Sequence, residues 1–130
     1  MKYVEKDALP EVILPGRVIY KATGKDGPLV SGCMTVAFGT YSGDYGPMAP
    51  HRHAEECVYI LRSVNGRVRY GGKPGALEHE LALEAGMLLH FLADEWHVFE
   101  FEPGGRIDAM FIYGDVDNIR PEEAAKPGGV

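Results

Sequence analysis

The sequence predicts an all-β chain folded as a small antiparallel sandwich or barrel, and three observations lead there. Turn-forming clusters recur roughly every 8–12 residues, the spacing of short paired strands. They are Pro15-Gly16, Lys25-Asp26-Gly27-Pro28, Ser42 to Pro47, Asn65-Gly66, Gly71 to Gly75, Glu84-Ala85-Gly86 and Pro103-Gly104-Gly105. Between them lie short β-prone runs at 17–22, 33–41, 56–61, 67–70, 77–83, 87–92, 97–101 and 107–113. Glycine (17) and proline (9) make up a fifth of the 130 residues. The usual share is about 12%, and the excess argues against a helix bundle.

Individual elements follow from local chemistry. Asn65-Gly66 predicts a type I′ hairpin turn, because both residues tolerate positive φ. Leu77, His79, Leu81 and Leu83 alternate with Glu78, Glu80 and Ala82, as a strand with one buried face would. Tyr59, Phe91, Phe99, Phe101, Phe111 and Tyr113 recur at period two and are expected to fill the barrel, with Tyr59 and Phe101 on its ligand pocket. Helix is expected only in one or two turns over 120–127, where Pro121 precedes Glu122 and Glu123. The run Glu11 to Leu14 is a short apolar strand suited to pairing with the sheet edge of a second copy.

Size and charge bound the function. A length of 130 residues fits one domain, 1–130, with a core from about 17 to 113. The 13 basic and 19 acidic residues give a net charge of −6, and every Lys or Arg stands alone in the chain. A nucleic-acid partner is not expected from that pattern. The longest apolar run is about five residues, against the ~20 that cross a bilayer. The start, MKYVEKDALP, lacks the apolar segment of a signal peptide. No membrane partner is therefore expected, and the cytoplasm is the expected location. Cys33 and Cys57 provide neither a disulfide framework nor zinc-finger spacing.

The chemistry concentrates around His51-Arg52-His53. On a strand, residues two apart share a face, so both imidazoles converge while Arg52 points outward. Paired imidazoles suit Fe, Mn, Ni, Zn or Cu. Glu55, Glu56 and Cys57 follow at once, and His97 supplies a third imidazole on a later strand. Trp96, beside His97, is expected to cover the site or its rim. His79 and His90 lie in plainer strands and read first as rim residues.

The segment Pro50 to Leu61, with His51, His53, Glu56 and Tyr59-Ile60-Leu61, resembles the first motif of the cupins. Gly86 stands eleven positions before His97, the glycine-to-histidine spacing of the second cupin motif. The likeness covers about residues 33–113. It departs from the family pattern in one fewer residue between His53 and Glu56, and in Leu92, Asp94 and Phe101 at that motif's proline, glycine and asparagine. The resemblance implies an antiparallel double-stranded β-helix, or jelly-roll barrel, with one divalent metal ion held inside by His51, His53, Glu56 and His97. The carboxylate position stays open among Glu56, Glu55 and neither; strict counting of the motif would place Cys57 there. The family further implies a small-molecule substrate or ligand and a homodimer. Its activities run from dioxygenases to isomerases, lyases and decarboxylases, and binding or sensing proteins also occur. A general acid or base would come from Glu55, His90 or Asp94. Tyr59, Phe101, Trp96 and Cys57 are the expected pocket residues.

Overall fold

The computed structural model describes residues 1–116. The possible helical turns at 120–127 lie outside them. Eight strands run in chain order: β1 (Glu11–Leu14), β2 (Arg17–Gly24), β3 (Leu29–Val30), β4 (Thr35–Ser42), β5 (Glu56–Lys73), β6 (Ala76–Ala82), β7 (Leu88–Phe91) and β8 (His97–Tyr113). Two single-turn 3-10 helices, Lys6–Ala8 and Gly43–Tyr45, are the only helix among the described residues. The sheet order is β1-β2-β4-β8-β5-β6, with β3 on β2 and β7 on β5. All pairings are antiparallel except the two-residue β2–β3 contact.

β5 and β8 have 18 and 17 residues, about three times the usual strand length of 5–6. Each fuses two of the expected runs. Asn65-Gly66 is therefore not a hairpin turn. It lies inside β5 at a register shift between Val64 and Gly66, with Asn65 at φ 52°. The positive-φ preference was legible, but a β-bulge satisfies it as well as a turn does. Here the bulge bends β5, whose first half pairs with residues 106–113 of β8 and whose second half pairs with 97–101. Gly104, at φ 79°, marks the facing corner of β8.

The chain between β6 and β7 keeps following β5. Leu83 N–H donates to Gly66 O, Gly86 N–H to Ile60 O, and Ile60 N–H to Met87 O. Inward-facing residues then interleave in one core: Ile19, Ala37, Tyr41, Val58, Ile60, Val68, Phe99, Ile107, Ala109 and Phe111 are all buried.

β1 pairs with β2 of its own chain, Glu11 opposite Tyr20 through Leu14 opposite Arg17, and stands at one end of the sheet order. The expected buried face of β6 is corrected. β6 does hold Leu81 and His79 on the face of their partners Val68 and Tyr70. That face is packed only beyond the strand's end, however: Leu83 is buried, but Leu81 is 39% exposed and His79 is exposed. Strand period sets which side chains share a face, but not whether another layer covers it.

Gly66 is the corner where an added Cβ has no room, since it would stand 2.4 Å from Ile107 Cγ1 and 2.7 Å from Ser63 Oγ. Gly66→Ala should lower stability by about 1–3 kcal/mol through overpacking. Denaturant unfolding checks this, and an unchanged midpoint would contradict it.

Candidate metal centre

The segment before β5 contains Pro47 and Pro50, and over residues 47–55 it makes no ladder except one isolated bridge. That bridge sets His51 opposite His97. His51 N–H donates to His97 O and His97 N–H to His51 O, both at 3.0 Å. Residues in such a pair present their side chains to the same face. His53, two residues further on, joins them; its carbonyl is held by Asp94 N–H at 2.8 Å. Ring nitrogens of His51, His53 and His97 lie within 4.8 Å of one another.

Each ring is aimed by a backbone carbonyl. His51 Nδ1 lies 3.2 Å from Ala49 O, His53 Nδ1 3.2 Å from Ala54 O, and His97 Nδ1 2.8 Å from Glu95 O. A carbonyl only accepts, so each Nδ1 carries the proton. In the neutral ring, Nε2 is then a bare lone pair pointing inward. His51 is held neutral: burial first, then the charges of His97, Arg17 and His53, bring its pKa down to about 2 against the bond to Ala49.

Glu56 completes the cluster. It begins β5 on the same face as Val58 and Ile60, and is 2% exposed. Its Oε1 lies 3.2 Å from His97 Nε2 and 3.4 Å from His53 Nε2. The 3.2 Å approach is no hydrogen bond, because His97 Nε2 has no partner, nor does Glu56 Oε2. Buried lone pairs facing a buried carboxylate repel unless a cation lies between them. The donor set of three imidazoles and a carboxylate therefore fits a first-row divalent metal.

Aromatic rings close the surroundings. Phe91 stacks on His97 at 4.2 Å between centroids, and Tyr113 meets His53 edge-on at 5.1 Å. By their period-two spacing both rings read only as barrel filling. Arg17, 1% exposed and close enough to bias His51, was missed as well. As the polar start of an apolar strand it offered no local signal.

The other expected residues are dispersed. Glu55 and His90 pair with each other on the outside, Glu55 Oε2 to His90 Nε2 at 2.6 Å, with both side chains more than half exposed. They do not reach the imidazoles. Glu56 faces inward on β5, so the alternation turns Cys57 and Tyr59 outward. Tyr59 is 37% exposed. Phe101 lies on the face of His97 but four residues along β8, packed against the core. At ~3.3 Å per residue it is far from the cluster. Trp96 is on the rim, its ring under the Arg52 guanidinium at 4.8 Å, and Arg52 is exposed as expected. Asp94 stands exposed at φ 62° in the turn before β8. Cys33 is exposed. No helix among the described residues is long and apolar enough to cross a membrane.

No protein-family model and no curated protein sequence matches the chain. Solved structures do. The polyketide cyclase RemF from Streptomyces resistomycificus superposes with a TM-score of 0.71 at 21% identity, over 93% of this chain and 82% of its own. HppE in its Fe(II) form gives 0.63 at 16% identity, over 87% and 60%. Oxalate decarboxylase from Lactobacillus farciminis, as its formate complex, gives 0.66 at 16%, over 95% and 38%. The chain thus spans well under two thirds of the last two proteins. All three are cupin-fold proteins, and the chain has the cupin fold.

The repulsion inside the cluster is testable without any metal. In metal-free protein, Glu56→Gln should raise stability by about 1–3 kcal/mol, because the amide donates where the carboxylate could only repel. Thermal and denaturant unfolding read this, and a loss of stability would mean that the carboxylate is a structural partner of the histidines.

Proposed function

We propose that this cupin-fold chain is a metal-dependent enzyme acting on a small oxygenated organic metabolite. His51, His53, His97 and Glu56 are the proposed ligands of one divalent ion. The observation that carries the reading is the set of three Nδ1–carbonyl bonds, which aim three buried imidazoles at one point beside an unsatisfied carboxylate. A purely structural cluster would gain nothing from leaving Glu56 Oε2 and His97 Nε2 without partners.

Such an ion, when bound by four protein groups, keeps coordination positions open to substrate and acts on a substrate oxygen as a Lewis acid. The protein's own contribution is positional. Backbone carbonyls hold the tautomers, Glu56 offsets part of the ion's charge, and Phe91 and Tyr113 shield the ligand rings from water. The Fe(II) form of HppE supports a first-row metal by analogy of fold alone. A cyclase and a decarboxylase on the same fold show that the fold does not select the reaction.

A second reading is a non-catalytic ligand-binding protein. It is favoured by Glu55 and His90 being bonded to each other away from the three-histidine cluster, which occupies the expected acid and base with one another. Turnover of a panel of carbonyl, thiol and sugar substrates by metal-loaded protein distinguishes the two; binding without turnover selects the second.

Metal content by plasma mass spectrometry, on untagged protein never exposed to chelator, is the direct test. About one equivalent of Fe, Mn, Ni, Zn or Cu per chain is expected. His51→Ala and His97→Ala should lose it and keep the far-ultraviolet circular dichroism of the barrel. Glu56→Gln should weaken metal binding at least tenfold, and Glu55→Gln should leave it unchanged. A wild-type protein that stays metal-free after reconstitution would overturn the reading.

We also propose a homodimer in the cytoplasm. Phe38, Met110, Tyr59 and Leu88 form a cross-strand row over β4, β8, β5 and β7, with Ile112 beside it, all on the outer face. Leu88 is 65%, Ile112 40% and Tyr59 37% exposed. A two-fold axis through this face would bury the same apolar row on both copies. Sedimentation should show a dimer for the wild type and a monomer for Tyr59→Glu; a wild-type monomer at micromolar concentration would refute it.

A further inference from the structure

We infer that the substrate carries a neutral, planar apolar body, such as an aromatic ring system with an oxygen substituent. We place that body in a cleft between β6 and β7 that abuts the metal centre. The inference rests on the proposed metal site only in taking the cleft's inner wall as part of that centre.

The cleft measures about 250 Å³, and its lining includes Val68, Tyr70, Leu81, Leu89, Phe91 and Glu95. It lies where the expected buried face of β6 is uncovered. Val68 and Leu81 are opposite one another in register and share a face. Val68 is buried, yet Leu81 is 39% exposed. An apolar alternation left open over a concave surface is the signature of a ligand site rather than of a core.

The inner end joins the cleft to the cluster through two residues. Phe91 presents its ring to the cleft wall and stacks on His97 at 4.2 Å, nearly parallel at 23°. Glu95 lines the cleft too, while its backbone carbonyl holds His97 Nδ1 at 2.8 Å. A molecule in the cleft therefore lies one ring away from a proposed metal ligand. The volume is just under the ~300 Å³ at which drug-sized pockets begin, which limits the body to about one or two rings.

Charge narrows the class further. Among the described residues no Lys or Arg lines the cleft; its one imidazole, His90, is already bonded to Glu55 at 2.6 Å, and Glu95 adds a carboxylate. The Glu95 side chain also accepts the Leu92 N–H at 3.1 Å, which fixes it at the wall. An anionic ring would meet two carboxylates and one imidazole that is already paired, whereas a neutral ring with a hydroxyl or carbonyl would not be repelled. Tyr70, Leu89 and Phe91 supply the flat apolar walls on which such a ring packs.

The test uses 2-naphthol as the probe, titrated by its fluorescence into full-length protein, both metal-free and loaded with Co²⁺. Saturable binding is expected in both. Leu81→Asp, at a partly exposed position of an edge strand, should weaken it at least tenfold and leave the melting curve and the Co²⁺ equivalents unchanged. The inference is overturned if the wild type shows no saturable binding, or if Leu81→Asp binds 2-naphthol equally well. It is also overturned if Leu81→Asp changes only sedimentation, which would assign the cleft to a second copy of the chain. Saturable, Leu81-dependent 2-naphthol binding by a protein that takes up no Co²⁺ would sink the metal reading and leave the cleft standing.

Discussion

The single bridge between His51 and His97 is the interaction on which the rest of the site depends. Two 3.0 Å backbone hydrogen bonds tie a segment that lies outside the named strands to the first residue of β8. They fix the distance between two imidazoles that are 46 positions apart in the chain and turn both to one face. His53 follows from strand parity once His51 is placed. Glu56 follows because β5 begins with its inward phase at that residue.

The cluster so formed carries a cost. Three imidazoles and a carboxylate are packed together, and Glu56 Oε2 and His97 Nε2 have no hydrogen-bond partner. Protein interiors leave few such groups unsatisfied. The arrangement is maintained by the surrounding barrel, whose bent strands bring both halves of β8 against both halves of β5. Stability is thus supplied by the apolar core, and the site spends a little of it on a geometry that suits a cation.

The same bending explains the open side. β6 and β7 follow β5 as one interrupted strand, so they sit on different halves of the barrel. Their inner faces separate where the interruption falls, and Leu81 is left uncovered. The aromatic wall of that opening is shared with the metal centre through Phe91. The cleft and the histidine cluster are therefore neighbours by construction of the fold.

Much of this was legible in the sequence. Glycine and proline punctuation gave the all-β class, whereas the choice between Glu56 and Glu55 stayed open until β5 turned Glu56 inward. The His-x-His spacing and the family-like interval from Gly86 to His97 marked the three histidines. These signals are local or of fixed spacing, and strand period converts them into faces directly. The tertiary structure alone decided the rest. Asn65-Gly66 asks for positive φ whether it closes a hairpin or bends a strand, and only pairing with β8 chose the bend. Leu77 to Leu83 alternate equally well over a core or over a cleft. Arg17 and Tyr113 reach the histidines from strands far away in sequence, and Phe91 folds back on His97 across the turn between β7 and β8; proximity of that kind has no period to read. The sequence by itself determined which residues share a face; the bent sheet decided what each face meets, because that depends on contacts between strands that no local pattern encodes.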